Sequence, residues 1–377
     1  MKSTIYLDQV SMTRPHPEIL AAMSEVDEAF PLNPNASHRY GRQARKIISD
    51  SRGSVSDWLK VPEESLAFCA DAEQSMLAMI YSILAKRPKG KIVSSAIEHP
   101  ALMNLLTDLE QAGYEVCRMG CDAYGFLDPA AYSEEITEEA VMVILHLANH
   151  DSGAVQPVQK IVESAREKRV PVLCDAGYGG LELNRSSLED LGVDWLFLSP
   201  QRLFGPSGTG IIYEKNPSHA DGSRGWLGNP SLRSIAGAGK MAALHRESGL
   251  QWQKQLTEES QFLFETLETK VKGVHLIGPE VGGSRYPIHL SIALDGLDGE
   301  TLMLKCDLMK LAIMAKAGCL PPDAKRSPVF REMGVHESLG LGTVLLGVGL
   351  DSSHKILLDA IERFAGAVDH LRTFSPG

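Results

Sequence analysis

Apolar residues along this chain come in two rhythms. Between Ser65 and Glu214, short runs that are apolar at nearly every position alternate with stretches whose apolar residues recur every three or four positions. The runs are SLAFCA (65–70), KIVSS (91–95), YEVCRM (114–119), AVMVILHL (140–147), VPVLCDA (170–176), WLFLS (195–199) and GTGIIYE (208–214). Runs so short and so uniformly apolar predict strands covered on both faces. Between them AEQSMLAMIYSILAK (72–86), PALMNLLTDLEQAG (100–113) and PVQKIVESAREK (157–168) carry the helical period. Strand, helix, strand in repetition predicts an α/β fold, a mostly parallel seven-stranded sheet with helices on both faces.

After Gly225 the rhythm changes. Helices are predicted over 231–248, 253–272 and 352–373, with strand-like HLIG (275–278) and YPIHLSIAL (286–294) among them. That pattern predicts a smaller α+β domain beside the α/β one. A ligand cleft is expected at the carboxyl ends of the strands.

Charge narrows the function classes. Lys and Arg number 37 against 48 Asp and Glu, so 37 − 48 leaves a formal net charge of −11. An excess of this sign argues for no nucleic-acid partner and no anionic-membrane partner. The longest uncharged apolar stretches, such as 339–350, fall short of the roughly 20 residues of a membrane helix. MKSTIYLDQV at the start lacks an apolar signal-peptide core. The six cysteines are scattered, with no CxxC pair. They read as reduced, mostly buried thiols in a cytoplasmic protein with no metal site. Apart from His99 and His150, the twelve histidines read as structural or exposed.

The order of local motifs is more specific. YLDQVSMTRPHPEIL at the start, NPNASHRYGRQARK at 33–46, EHPAL at 98–102, NHDSGAVQ at 149–156, CDAGYGG at 174–180, SPQRLFGPSGTGIIY at 199–213 and AKAGC at 315–319 occur in one chain. Together they resemble the class V, fold-type I pyridoxal-phosphate (PLP) enzymes, most closely the NifS/IscS-type cysteine desulfurases. The resemblance implies a homodimer with a large domain over residues 15–250 and a small one built from 1–14 and 251–377. It also assigns roles to residues. His99 matches the histidine that stacks on the cofactor ring, and Asp175 the aspartate that pairs with the pyridine nitrogen. Gln156 matches a glutamine near the ring, while His150 replaces an asparagine at the ring oxygen. Cys319 matches the cysteine that takes sulfur as a persulfide, with Lys316, Lys325 and Arg326 near it to favour thiolate.

Three departures run against that family. Its PLP lysine lies in a Ser-x-His-Lys-x-x-Gly-Pro stretch, which here reads SPQRLFGP and puts Arg202 in the lysine position. A guanidinium stays protonated and cannot serve as the amine of an imine. At the phosphate turn the family's glycine, alanine and threonine become Ala70, Asp71 and Ala72. A phosphate about 4 Å from that carboxylate would cost about 4 kcal/mol per pair of charges at an effective dielectric of 20. Asp71 with Gln74 has instead the spacing of a helix cap. No arginine stands between Glu332 and Glu362, where the family keeps the one that grips the substrate carboxylate.

These departures lead to an expectation of no cofactor, with Asp175, Gln156, His150, Arg202 and Asp71 lining a vestigial pocket and with Cys319 and His99 as candidate catalytic groups. The expected function is a non-desulfurase role in sulfur or iron–sulfur metabolism, as scaffold, regulator or persulfide acceptor through Cys319. A sulfur-acceptor or iron–sulfur scaffold protein is the expected partner. Two alternatives stand beside it: an active cysteine desulfurase or class V aminotransferase-like enzyme, and a PLP-independent enzyme that uses the remodelled pocket.

Overall fold

A computed structural model of the chain describes residues 4–27, 33–85, 89–217, 230–315 and 327–374. All seven predicted runs become strands of one sheet. After the short β1 (Ile5–Tyr6) come β2 (Leu66–Cys69), β3 (Lys91–Ser95), β4 (Glu115–Met119), β5 (Ala140–His146), β6 (Val172–Asp175), β7 (Trp195–Leu198) and β8 (Gly210–Glu214). Their order in the sheet is β2-β8-β7-β6-β5-β3-β4. Every pairing is parallel except the two made by β8. The central strands are buried almost throughout, as continuous apolar runs require when both faces are covered. The edge strand β4 is only half-buried and carries Glu115 and Arg118, charges that discourage edge-to-edge association.

The helices that cover the first part of the chain are α1 (Pro17–Asp27), α2 (Arg39–Leu59), α3 (Ala72–Leu84), α4 (Pro100–Gln111), α5 (Pro129–Glu135), α6 (Val158–Glu167) and α7 (Leu188–Leu191). Their starts follow the local chemistry. Asp71 caps α3 and Asp128 caps α5 through carboxylates that accept backbone N–H groups, and Pro100 opens α4 where a missing N–H costs nothing.

The remaining elements are α8 (Leu232–Lys270), β9 (Val274–Leu276), β10 (Leu290–Leu294), α9 (Gly299–Leu308), β11 (Leu311–Ala312), α10 (Pro328–Glu332), α11 (Glu337–Leu341), β12 (Thr343–Leu346) and α12 (His354–Phe374). An antiparallel sheet of order β12-β10-β9 and a parallel pair β1-β11 complete the strand pairing. The two helices expected over 231–248 and 253–272 are one helix of 39 residues, which runs through residue 250. Ser248-Gly249 reads locally as a break, since a helical glycine costs about 1 kcal/mol. The glycine is retained because the Asn184 side chain packs against it, and a β-carbon there would sit 2.4 Å from Asn184 Oδ1. The strand expected from Tyr286 begins only at Leu290. Residues 286–289 form a turn in which the His289 N–H donates to the Tyr286 carbonyl at 2.9 Å. Among the described residues, no helix is long and apolar enough to cross a membrane.

Candidate functional site

The parallel strands end on one side of the sheet, and the polar residues that close them lie together there. His146 is the last residue of β5 and Asp175 the last of β6, and the parallel register sets them side by side. Asp175 accepts a hydrogen bond at Oδ1 from the Gly177 N–H at 2.8 Å. Past β7 the chain makes a tight turn over Pro200–Arg202. The Arg202 guanidinium carbon lies 4.0 Å from the centre of the Tyr178 ring, a cation–π arrangement. A β-carbon on Gly177 would stand 2.9 Å from Asp175 Oδ1, 3.2 Å from Arg202 Nη1 and 3.4 Å from Ser199 Oγ. Carboxylate, guanidinium and hydroxyl therefore meet around the one residue with no side chain.

Close to this group lie four histidines. The His99 and His150 rings meet edge to face with centroids 5.5 Å apart. His99 Nδ1 lies 3.4 Å from Glu73 Oε2 on α3, and its Nε2 is buried without a hydrogen-bond partner among the described residues. His150 Nε2 is 3.6 Å from Asp151 Oδ2, an oxygen that also accepts from the Ser327 hydroxyl. Burial first, then the neighbouring His99, His146, His289 and Arg202, holds the His150 pKa well below the usual histidine range. Its ring is therefore neutral at physiological pH. His289 pairs through Nε2 with the His150 carbonyl at 2.9 Å. Burial and then Arg285 lower its pKa to about 3, so it donates as a neutral ring. His146 Nδ1 stands 3.0 Å from Glu98 Oε2, and the other oxygen of Glu98 accepts from the Ser95 hydroxyl at 2.6 Å.

The sequence reading placed His146 and His289 with the structural or exposed histidines. Both are buried in the same cluster as His99 and His150. Only for His146 was a signal present, since it is the one charged-type residue at the end of the most apolar run. Even so, the four histidines do not make a metal centre. Among the described residues no group of three or more His, Cys, Asp or Glu side chains is arranged to hold a metal ion.

Other sequence-predicted residues are engaged elsewhere or lie outside the described residues. Gln156 accepts from the Leu127 N–H at 3.0 Å and donates to the carbonyls of Gly125 at 2.9 Å and Ala154 at 3.3 Å. Its amide ties backbone segments together. Asp71 is exposed, and its carboxylate accepts the Gln74 N–H at 2.8 Å. The end of α3 is thus satisfied by the protein's own anion. Cys319, Lys316, Lys325 and Arg326 lie outside the described residues. Five free cysteines are described. Burial raises the pKa of Cys69 and Cys121 to about 11 and of Cys306 to about 12, and it raises Cys117 and Cys174 as well. None of these five is a thiolate at neutral pH.

A profile of the aminotransferase class-V family matches residues 5–345. The chain belongs to that family. Curated relatives include a cysteine desulfurase IscS of Dictyoglomus turgidum, 27% identical over 100% of this chain and 97% of that protein. Another is a cysteine desulfurase of Enterobacter agglomerans, 26% identical over 99% of this chain and 94% of the other. Among solved structures, a NifS-like protein superposes with a TM-score of 0.85 at 22% identity, covering 97% of this chain and all of that one. The apo structure of a cysteine desulfurase from Thermococcus onnurineus superposes with a TM-score of 0.80 at 18% identity, covering 99% of this chain and 95% of the other. These likenesses settle the fold as class V, fold-type I.

Membership corrects one expectation. No cofactor was expected, whereas PLP is the cofactor of the class-V family and of its cysteine desulfurases. The residues of this chain fit that group in part. Asp175 and His99, which the resemblance turns toward the ring, both sit at the carboxyl edge of the sheet. The fit fails at two points. Arg202 offers a guanidinium where the resemblance puts the imine-forming lysine, and the Asp71 carboxylate caps the end of α3 where the resemblance puts the phosphate. The mismatch concerns how the group is attached, and it leaves PLP as the family's cofactor.

Proposed function

We propose that this class-V chain is a cysteine-desulfurase-like protein of sulfur or iron–sulfur metabolism that forms no PLP imine at position 202. In this reading it is a homodimer that acts as a scaffold, regulator or persulfide acceptor, with Cys319 as the sulfur-bearing residue. The observation that carries the reading is Arg202 on the face of Tyr178, on the strand-end turn where the family keeps its lysine. A side chain that neither loses its proton nor adds to an aldehyde cannot run the family's sulfur-releasing chemistry. Family membership supports the sulfur context.

The test compares the wild-type protein with Arg202→Lys after incubation with PLP and cysteine. The wild type is expected to show no imine absorbance and to release no sulfide, while the lysine variant gains the imine band. Sulfide release by the wild type sinks the proposal. The role of Cys319 has its own measurement. A persulfide donor is added, and the Cys319 thiolate attacks its outer sulfur, breaking the donor S–S bond and expelling the donor as a thiolate. Mass spectrometry is expected to find one added sulfur on the wild-type peptide and none in Cys319→Ser. An unmodified Cys319 removes the acceptor role.

A further inference from the structure

Away from the strand-end cluster, a cavity of about 330 Å³ opens at the opposite edge of the large sheet. It is lined by the end of α6, the residues that lead into β6 and β7, and the residue that follows β8. Asp194 and Lys215 are joined there, since the Lys215 N–H donates to the Asp194 carbonyl at 2.9 Å. Three cationic side chains line the cavity: Arg166, Arg169 and Lys215. None of the three makes an ion pair or a side-chain hydrogen bond among the described residues. The one acid in the lining is Asp194, and its Oδ2 already accepts the Val172 N–H at 2.8 Å. Three positive charges less one negative leave an excess of two, in a chain whose net charge is −11.

The backbone at Arg169 adds a second point. Residues after α6 close it by hydrogen bonds from Arg169 N to Arg166 O at 3.1 Å and from Val170 N to Ala165 O at 2.9 Å. That ending puts Arg169 in the left-handed region at φ 58°, a place that favours glycine. An arginine there gives up backbone stability and brings a cation to the cavity wall. Gly192, also in the lining, leaves room for the Arg166 guanidinium, because a β-carbon on it would lie 2.2 Å from Arg166 Nη2.

We propose that this cavity binds a phosphate-bearing small molecule. Guanidinium groups match the planar pairs of oxygens on a phosphate, and a lysine adds a point charge beside them. The excess of two charges suits a multiply charged phosphate group better than a monocarboxylate. The volume is that of a small ligand site. The site lies across the sheet from Asp175 and Arg202 and stands independently of the reading of that cluster.

Isothermal titration with inorganic pyrophosphate tests it, with acetate as the monocarboxylate control. The wild type is expected to show a saturable binding event that weakens at least tenfold in the double variant Arg166→Gln/Lys215→Gln, with no acetate binding. Arg169→Gly separates binding from folding: it is expected to raise Tm in the absence of pyrophosphate, by relieving the left-handed backbone, and to weaken pyrophosphate binding. The proposal is overturned by any of three results: no saturable binding by the wild type, equal affinity in the double variant, or acetate bound as tightly as pyrophosphate.

Discussion

Gln156 illustrates how one residue type serves two different ends. Its family position puts it near a cofactor ring, but here its amide spends its donors and one acceptor site on the backbone of residues 125, 127 and 154. Gln156→Leu leaves the buried Leu127 N–H and the Gly125 carbonyl without that partner, while the Ala154 carbonyl keeps the Asn149 N–H, so we expect a loss of about 2–4 kcal/mol of stability. Urea unfolding measures it, and a ring-contact role alone would leave the midpoint near the wild-type value. Arg202 shows the converse: the role proposed for it comes from the sequence, because the chemistry of a guanidinium does not depend on the fold around it. What the sequence could not give was the position of the group. Its stacking on Tyr178 and its approach to Gly177 are facts of packing between β6 and the turn after β7.

Among the elements, the seven strands were legible because each is a local apolar run, whose boundaries moved by only a residue or two in the structure. Helix α8 was not, because the Gly249 that reads as a stop makes room for Asn184 from a distant segment while the helix runs on. The same helix carries Gly237 and Gly239 where it crosses α1 and α2. A β-carbon at 239 would lie 2.7 Å from Ser51 Cα, and one at 237 would lie 2.8 Å from Met23 Cγ. In an exposed helix, Gly→Ala gains up to about 1 kcal/mol. At this crossing the obstacle is backbone, so Gly239→Ala is expected to cost about 1–3 kcal/mol through overpacking. Circular dichroism during urea unfolding checks the sign, and a stabilised variant would show that α2 and α8 have room to part.

For the whole molecule, buried neutral histidines set the response to acid. Burial lowers the His245 pKa to about 4, and its Nε2 pairs with the Leu203 carbonyl at 2.9 Å. With His289 at about 3, both folded values lie below the roughly 6.5 of an unfolded histidine. As pH falls the unfolded chain takes up these protons first. The stability is therefore whole above pH ~6.5 and is lost from there down to the folded values, by up to about 1.4 kcal/mol per pH unit for each ring. The urea midpoint is expected to drop between pH 7.5 and 5.5, and to drop less in His245→Gln. An equal drop in that variant would remove His245 from the account. The amino-acid sequence alone determined the alternation of strands and helices, the cap at Asp71 and the guanidinium at position 202, because each depends on neighbouring residues or on the chemistry of one side chain. Only the tertiary structure decided that His150 and His289, 139 positions apart, share one buried cluster with His99 and His146. Parallel strand register and long-range turns put them there, and neither leaves a periodic trace along the chain.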